Sequence, residues 1–172
     1  MNVFIRNATK NDAALIADIS RQTFYDTFVA DNTEENMDKF LKEQFTKGRL
    51  MLEVGAPLNT FLLAYCDDAV AGYVKLSEGK TPKELKGLSP LEIARLYVLK
   101  DFIGQGVGAK LMQACVDTAI EKSKQVMWLG VWEKNQRAID FYKKWGFEKF
   151  SECDFLLGDD IQRDWLMKRG VT

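Results

Sequence analysis

Between residues 104 and 109 the chain reads Gly104-Gln105-Gly106-Val107-Gly108-Ala109. The segments on either side of this run narrow the available folds more than any other feature. Upstream, Leu91 to Val98 alternates apolar and polar positions as a strand does, and downstream Lys110 to Ile120 repeats its apolar residues at helical spacing. A strand feeding a glycine loop that opens a helix predicts an α/β chain. The loop's backbone N–H groups and the positive end of the helix then converge on one point. Glycine lets an anion approach that point closely, so the arrangement predicts a phosphate-bearing ligand.

The remaining periodicities place this unit in a single domain, taken as residues 1–172. Val3 to Arg6 reads as a short strand. Thr9, with Asp12 three residues on, resembles a capping box that opens a helix carrying Leu15, Ile16, Ile19 and Phe24. A second helix is expected from Asn32 or Thr33, with Met37, Phe40, Leu41 and Phe45 on one face. Thr60–Cys66 and Val70–Leu76 flank Asp67-Asp68 as a hairpin. Ser77 to Pro90, with glycines, prolines and lysines and little periodicity, reads as a surface loop. Beyond the glycine loop, Leu111, Met112, Cys115, Ala119 and Ile120 share a helix face. Val126–Trp132 is a strand, and Asn135–Trp145 a helix that Gly146 ends. Two last strands, near Phe147–Phe155 and Asp164–Lys168, flank the turn Gly158-Asp159-Asp160.

Composition removes several chemistries. The sequence has no histidine, which excludes histidine bases, Ser-His-Asp triads and histidine metal sites. Its 3 cysteines (Cys66, Cys115, Cys153) form no C-x-x-C pair, so a metal centre is not expected, and they read as reduced thiols of a cytoplasmic protein. A net charge of −1 without basic blocks argues against nucleic acid as a partner. No secretory leader or apolar run of membrane-spanning length is apparent, so no membrane association is expected.

Three ligands compete for the loop. A nucleoside triphosphate would need Gly-Lys-Ser/Thr, whereas Gly108 is followed by Ala109-Lys110. A dinucleotide fits Gly104, Gly106 and Ala109 as G-x-G-x-x-A, with Glu133 as the ribose acid. Against it, Lys100 to Ile103 separate the strand from the first glycine, and too little chain follows to complete that sheet. The third candidate is the pyrophosphate of coenzyme A.

Here the chain resembles the GCN5-related N-acetyltransferase (GNAT) superfamily. The resemblance rests on Ile103-Gly104-Gln105-Gly106-Val107-Gly108-Ala109 after Leu96-Tyr97-Val98, and on Asn135 to Phe147 as a second segment in order. A closer resemblance is to PaiA-like polyamine acetyltransferases. It is carried by Thr23 to Phe28, Glu35-Asn36-Met37, Ala71 to Lys75, Trp128 to Asn135 and the Gly158-Asp159 turn. The resemblance implies the GNAT α/β fold, a central mixed and mostly antiparallel sheet with helices on both faces. It implies acetyl-CoA as co-substrate and transfer of its acetyl group to a primary amine, with polyamines such as spermidine the leading small-molecule acceptors. An N-acetyltransferase of peptide N-termini or of small amine metabolites is the alternative. A module binding acetyl-CoA without turnover is the alternative outside enzymes. A homodimer is compatible with the resemblance. One position departs from the family pattern: Ile103 stands where the loop carries Gln or Arg, leaving Gln105 to compensate.

The resemblance also assigns roles. Backbone groups of Leu96, Tyr97 and Val98 meet pantetheine, and Ile103, Gly104, Gln105, Gly106, Val107, Gly108 and Ala109 form the pyrophosphate loop. Asn135 meets the pantetheine amides. Tyr142, two helical turns or roughly 10 Å along the same face, is the acid for the leaving thiolate. Spacing alone equally allows Tyr142 to pack in the stripe with Ala138 and Trp145. Strict alternation puts Glu92 on one face with Ala94, Leu96 and Val98. A carboxylate desolvated there would have a raised pKa, and the resemblance makes it the base. A solvated strand end near Pro90 is the plainer alternative, and Arg95, on the opposite face, reads as structural. Asp26, Glu34, Asp159 and Asp160 are candidate partners for a cationic acceptor, and Phe24, Phe28 and Trp132 candidate walls of its groove. Each of these residue types also serves as cap, turn or core.

Overall fold

The computed structural model describes residues 2–171. Seven strands form one sheet: β1 (Val3–Asn7), β2 (Asn59–Cys66), β3 (Ala69–Ser77), β4 (Pro90–Val98), β5 (Val126–Trp132), β6 (Glu148–Leu157) and β7 (Asp160–Gly170). Their order is β1-β2-β3-β4-β5-β7-β6. Every neighbouring pair is antiparallel except β4 and β5. That parallel pair needs a crossover, and the helix after the glycine loop, α4 (Val107–Glu121), supplies it.

Helices cover both faces because the strands are apolar on both. On one face α4 and α5 (Gln136–Lys144) bury Leu111, Met112, Cys115, Ile139 and Tyr142 against Leu76, Leu91, Ile93, Met127 and Leu129. On the other, α1 (Ala13–Phe28), α2 (Glu34–Gln44) and α3 (Lys47–Gly55) bury Ile16, Phe24, Phe28, Met37 and Leu50 against Phe61, Leu63, Tyr73 and Trp132. The expected mixed sheet with helices on both faces is the observed architecture.

Local chemistry explains the main boundaries. The Asp12 carboxylate accepts the Thr9 N–H at 2.8 Å and both arms of Arg6 at 2.8 and 2.9 Å, fixing the entry to α1. Thr33 and Thr46 cap α2 and α3 by accepting N–H groups three residues on. Gly146, at φ +89°, ends α5 in the conformation glycine tolerates best.

Three sequence expectations change. Residues 47–55 form a third helix that has only nine residues and buries Leu50 alone, too little periodicity to read. The 77–90 segment is not purely surface, because a helical turn at Lys83–Leu85 buries Leu85 completely against Val126 and Trp128. The last two strands are longer than expected and meet at Gly158-Asp159, with Asp160 already in β7.

Candidate active site

The site begins where β4 and β5 part. Their parallel pairing runs from Pro90↔Val126 to Ile93↔Leu129 and stops there. Beyond it, β4 continues against β3 and β5 against β7, so the facing edges of Ala94–Val98 and Gly130–Trp132 are left open. A cleft of about 1520 Å³ fills the gap. Residues from both faces of the sheet line it, Tyr142 from the α4/α5 side and Phe24, Phe28 and Trp132 from the α1–α2 side. The cleft therefore passes through the sheet.

One bulge sets which side chains face which side. Lys75 pairs with Arg95 while its neighbour Leu76 pairs with Ile93, so Ala94 is an extra residue in β4. Alternation inverts across it. Leu91 and Ile93 before the bulge, and Leu96 and Val98 after it, all pack on the α4 side. Glu92 thus lies on the other face, together with Arg95 and Tyr97. This corrects the expectation of strict alternation, which grouped Glu92 with Leu96 and Val98 and set Arg95 opposite. Burial does push the Glu92 carboxyl up, against the pull of Lys80, Lys75 and Arg95. The cleft lining, however, takes in Ile93, Ala94 and Arg95 but not Glu92. Arg95 reaches the lining while its guanidinium is held bidentately by Glu53 of α3 at 2.9 and 3.0 Å, as a structural arginine would be.

At the α4 end, Gly104 and Gly106 both sit at φ +84°, and a β-carbon on either would meet no atom within 4 Å. The glycines are required by backbone conformation, and the space in front of them is open to a ligand. Gly106 is the N-cap of the 15-residue α4, so the helix's free N–H groups face that space. A β-carbon on Gly108 would stand 3.5 Å from the Phe141 ring, and Gly108 joins Gly104, Gly106, Ile103 and Ala109 in the lining. Lys100, Arg137 and Lys144 bring positive charge to the same cleft. The Gln105 amide donates to the Asp101 carbonyl at 3.0 Å, bracing the loop rather than reaching outward. Neither Gln105 nor Val107, which is buried in the core, is part of the lining. The glycines, helix start and basic side chains fit a pyrophosphate.

Asn135 and Tyr142 both line the cleft, as their spacing suggested. Asn135 also caps α5, its Oδ1 accepting the Ala138 N–H at 3.3 Å. Tyr142 is 7% exposed, wedged edge-on between Phe141 and Phe147, and burial pushes its phenol strongly up, keeping it protonated. Tyr142 is thus a packed core residue that also borders the cleft.

On the α1–α2 side, Phe24, Phe28, Phe40, Phe155 and Trp132 form an aromatic wall, with Phe24–Phe28 and Phe24–Phe40 centroids 4.3 Å apart and Phe28–Trp132 4.9 Å. Asp26 lines this part and accepts from Gln22 at 2.9 Å. Glu34 begins α2 outside the lining. Asp159 is also outside it, paired with Lys39 at 2.7 Å while its N–H donates to Asn36, which docks the β6–β7 turn on α2.

Sequence reasoning missed Asp164. This β7 carboxylate lines the cleft where β5 leaves β4, and burial, reinforced by the charge of Glu133, raises its pKa to about 6. The available signal was an aspartate immediately before the apolar run Trp165-Leu166-Met167, at the start of a short expected strand.

A parted parallel pair with a glycine-looped helix at one end can hold an extended phosphorylated thioester through the sheet. The Acetyltransferase (GNAT) family model matches residues 20–147. The chain belongs to the GNAT family. It is 40% identical over 170 residues to an uncharacterized N-acetyltransferase in the pepI 3′ region of Lactobacillus delbrueckii subsp. lactis, covering 99% of this chain and 98% of that one. It is 23% identical over 164 residues to a spermidine N(1)-acetyltransferase of Thermoplasma acidophilum, covering 91% and 96% of the two chains. The fold matches the PaiA N-acetyltransferase of T. acidophilum in complex with coenzyme A, with a TM-score of 0.80, 21% identity and 99% of each chain covered. This GNAT protein is an acetyl-CoA-dependent N-acetyltransferase. Among the described residues, no helix is long and apolar enough to cross a membrane.

Proposed function

We propose that this GNAT enzyme acetylates a primary amine of a cationic small molecule, with polyamines such as spermidine as the acceptor class, in the cytoplasm. The observation that carries the reading is the division of charge along the cleft. Lys100, Arg137 and Lys144, with the one carboxylate Asp140 among them, line the cleft with the glycine loop and leave that part net positive, where acetyl-CoA would place its phosphates. The carboxylates Asp26 and Asp164 accompany the aromatic wall on the far side of the sheet. Arg95, a cation of β4 itself, is tied to Glu53, which Lys75 also approaches. A carboxylate-bearing aromatic groove suits an alkyl ammonium, through charge and through cation–π contact. The name of the T. acidophilum spermidine N(1)-acetyltransferase agrees with this acceptor class.

Loop residues Ile103, Gly104, Gly106, Gly108 and Ala109 orient the pyrophosphate, and the open edge of Leu96, Tyr97 and Val98 offers backbone partners to pantetheine. Asn135 meets the pantetheine amides, using the part of its carboxamide not spent on the cap. The thioester then lies in the gap, with Tyr142 beneath its sulfur. An amine reaching through from the aromatic side attacks the carbonyl carbon, and the C–S bond breaks as Tyr142 protonates the thiolate. A phenol kept protonated by burial is matched to that step.

A CoA-release assay across spermidine, spermine, small monoamines and an N-terminal peptide tests the proposal. Polyamines are expected to give the highest kcat/KM, falling steeply with added salt as screening removes the carboxylates' attraction. A salt-insensitive preference for the peptide or a neutral amine overturns it.

A further inference from the structure

We infer that Asp164 is the group that receives the acceptor's proton, and that Gly130 keeps open the space in which it does so. The inference rests on the reading of the cleft as the amine-transfer site. Its grounds are positional. Asp164 is the β7 partner of Trp132 at the end of β5, and its Oδ2 leans back along β5 until it lies 3.3 Å from the point where a Gly130 β-carbon would stand. Gly130 is the first β5 residue beyond the last β4–β5 pair, so this carboxylate stands at the mouth of the split itself. Tyr142 and Asp164 thus approach the gap from opposite faces of the sheet, one from the core beneath α4 and α5, the other from the acceptor side. Tyr97, at the open edge of β4, is within electrostatic reach of both. That is the disposition needed by an acid for the leaving sulfur and a base for the attacking nitrogen.

The groups around Asp164 leave it free for this work. Glu133, just past β5, faces it as a like charge. Cys153, its partner across β6, carries a thiol pushed up by burial and by Asp164 itself, and Tyr97 carries a phenol held protonated by burial. Among the described residues no lysine or arginine forms an ion pair with it. Nothing neutralises the carboxylate, and its raised pKa of about 6 makes it a better proton acceptor than an exposed aspartate.

The step balances without a further reagent. The bound ammonium gives one proton to the Asp164 carboxylate, leaving a neutral amine whose lone pair forms the C–N bond to the thioester carbon. The C–S bond breaks, and the sulfur takes a proton from the Tyr142 hydroxyl. The second nitrogen proton, acidic once the C–N bond exists, restores that hydroxyl. Asp164 returns its own proton to solvent, so one proton is released per turnover.

The test is the pH profile of kcat/KM for the acceptor in the native enzyme, Asp164→Asn and Glu92→Gln, with thermal melts of each. The native profile should show an acid limb near pH 6. Asp164→Asn should lose that limb and fall by ~10²-fold at neutral pH, with its melt unimpaired. Glu92→Gln should keep the limb. Asp164→Asn retaining both the limb and the rate overturns the inference, as does loss of the limb in Glu92→Gln alone. Should polyamines fail as acceptors while another amine is turned over, the same comparison run with that amine decides Asp164 independently.

Discussion

The Asp164 Oδ2 lies over Gly130, 3.3 Å from where a β-carbon would be, at the residue where β5 abandons β4. A methyl group there must displace the carboxylate by a few tenths of an ångström and fill part of the gap. In a strand, alanine is intrinsically better than glycine by roughly 0.5–1 kcal/mol. Gly130→Ala is therefore expected to leave the melting temperature unchanged or raised while lowering kcat/KM for the acceptor by ~10-fold or more. Parallel melts and steady-state kinetics check both halves.

Asp164 itself opposes folding at neutral pH. With its carboxyl pKa raised from 3.8 to about 6, the folded state holds this proton more tightly than the unfolded chain. The contribution is fully favourable below about pH 4 and is lost as pH rises through about 6. Above that, the ionised carboxylate costs on the order of 2–3 kcal/mol. Asp164→Asn should be more stable than the native protein at pH 8 and show little difference at pH 4, as urea titrations at the two pH values will show. Stability held back for activity is a common trade in active sites.

The Tyr142 ring fills an apolar slot against Phe147 and Phe141, and phenylalanine would fill it equally. Tyr142→Phe is expected to lower kcat by ~10²-fold or more, with the KM for acetyl-CoA changed less than about threefold. Steady-state kinetics with acetyl-CoA as the varied substrate separates the two.

At Gly104 and Gly106 the side-chain space is open but φ is +84°. Alanine there costs roughly 1–2 kcal/mol of backbone strain at each site unless the loop rearranges. The double substitution should raise the KM for acetyl-CoA by ~10-fold or more while kcat stays within about twofold, because the loop grips the phosphates equally in ground and transition states.

Asp12 shows the opposite titration. Its hydrogen bonds from Arg6 hold the carboxyl down at about 2, so its contribution is present above about pH 4 and lost as pH falls toward 2. Allowing for the partly exposed guanidinium, Asp12→Asn should cost about 1 kcal/mol at pH 7 and markedly less at pH 3, measured by urea unfolding.

The donor half of the site was legible in the sequence because it is local. Strand, glycines and helix lie in one stretch, and Asn135 and Tyr142 share a single short helix. The acceptor half depends on what β4 does at Ala94 and on where β7 inserts beside β5. A one-residue bulge leaves no mark in an alternating strand, so Glu92 was assigned to the wrong face. Asp164 reaches the gap only because β7 lies between β5 and β6, a non-local pairing that periodicity cannot reveal. The surroundings of Asp159 are illegible for a related reason: a turn aspartate offers the same letter whether it faces a ligand or, as in the structure, Lys39. Helix α3 and buried Leu85 were missed because each rests on one anchoring side chain rather than a repeated pattern.

The central claim is that the parted strands carry out acetyl transfer from acetyl-CoA to a cationic amine. The most direct measurement is mass spectrometry of spermidine incubated with the enzyme and acetyl-CoA, quantified alongside free CoA. The account predicts monoacetylated spermidine in equal amount to the CoA released, and suppression of both in Tyr142→Phe. CoA released without acetylated amine, or no release with spermidine while a neutral acceptor is readily acetylated, would contradict it.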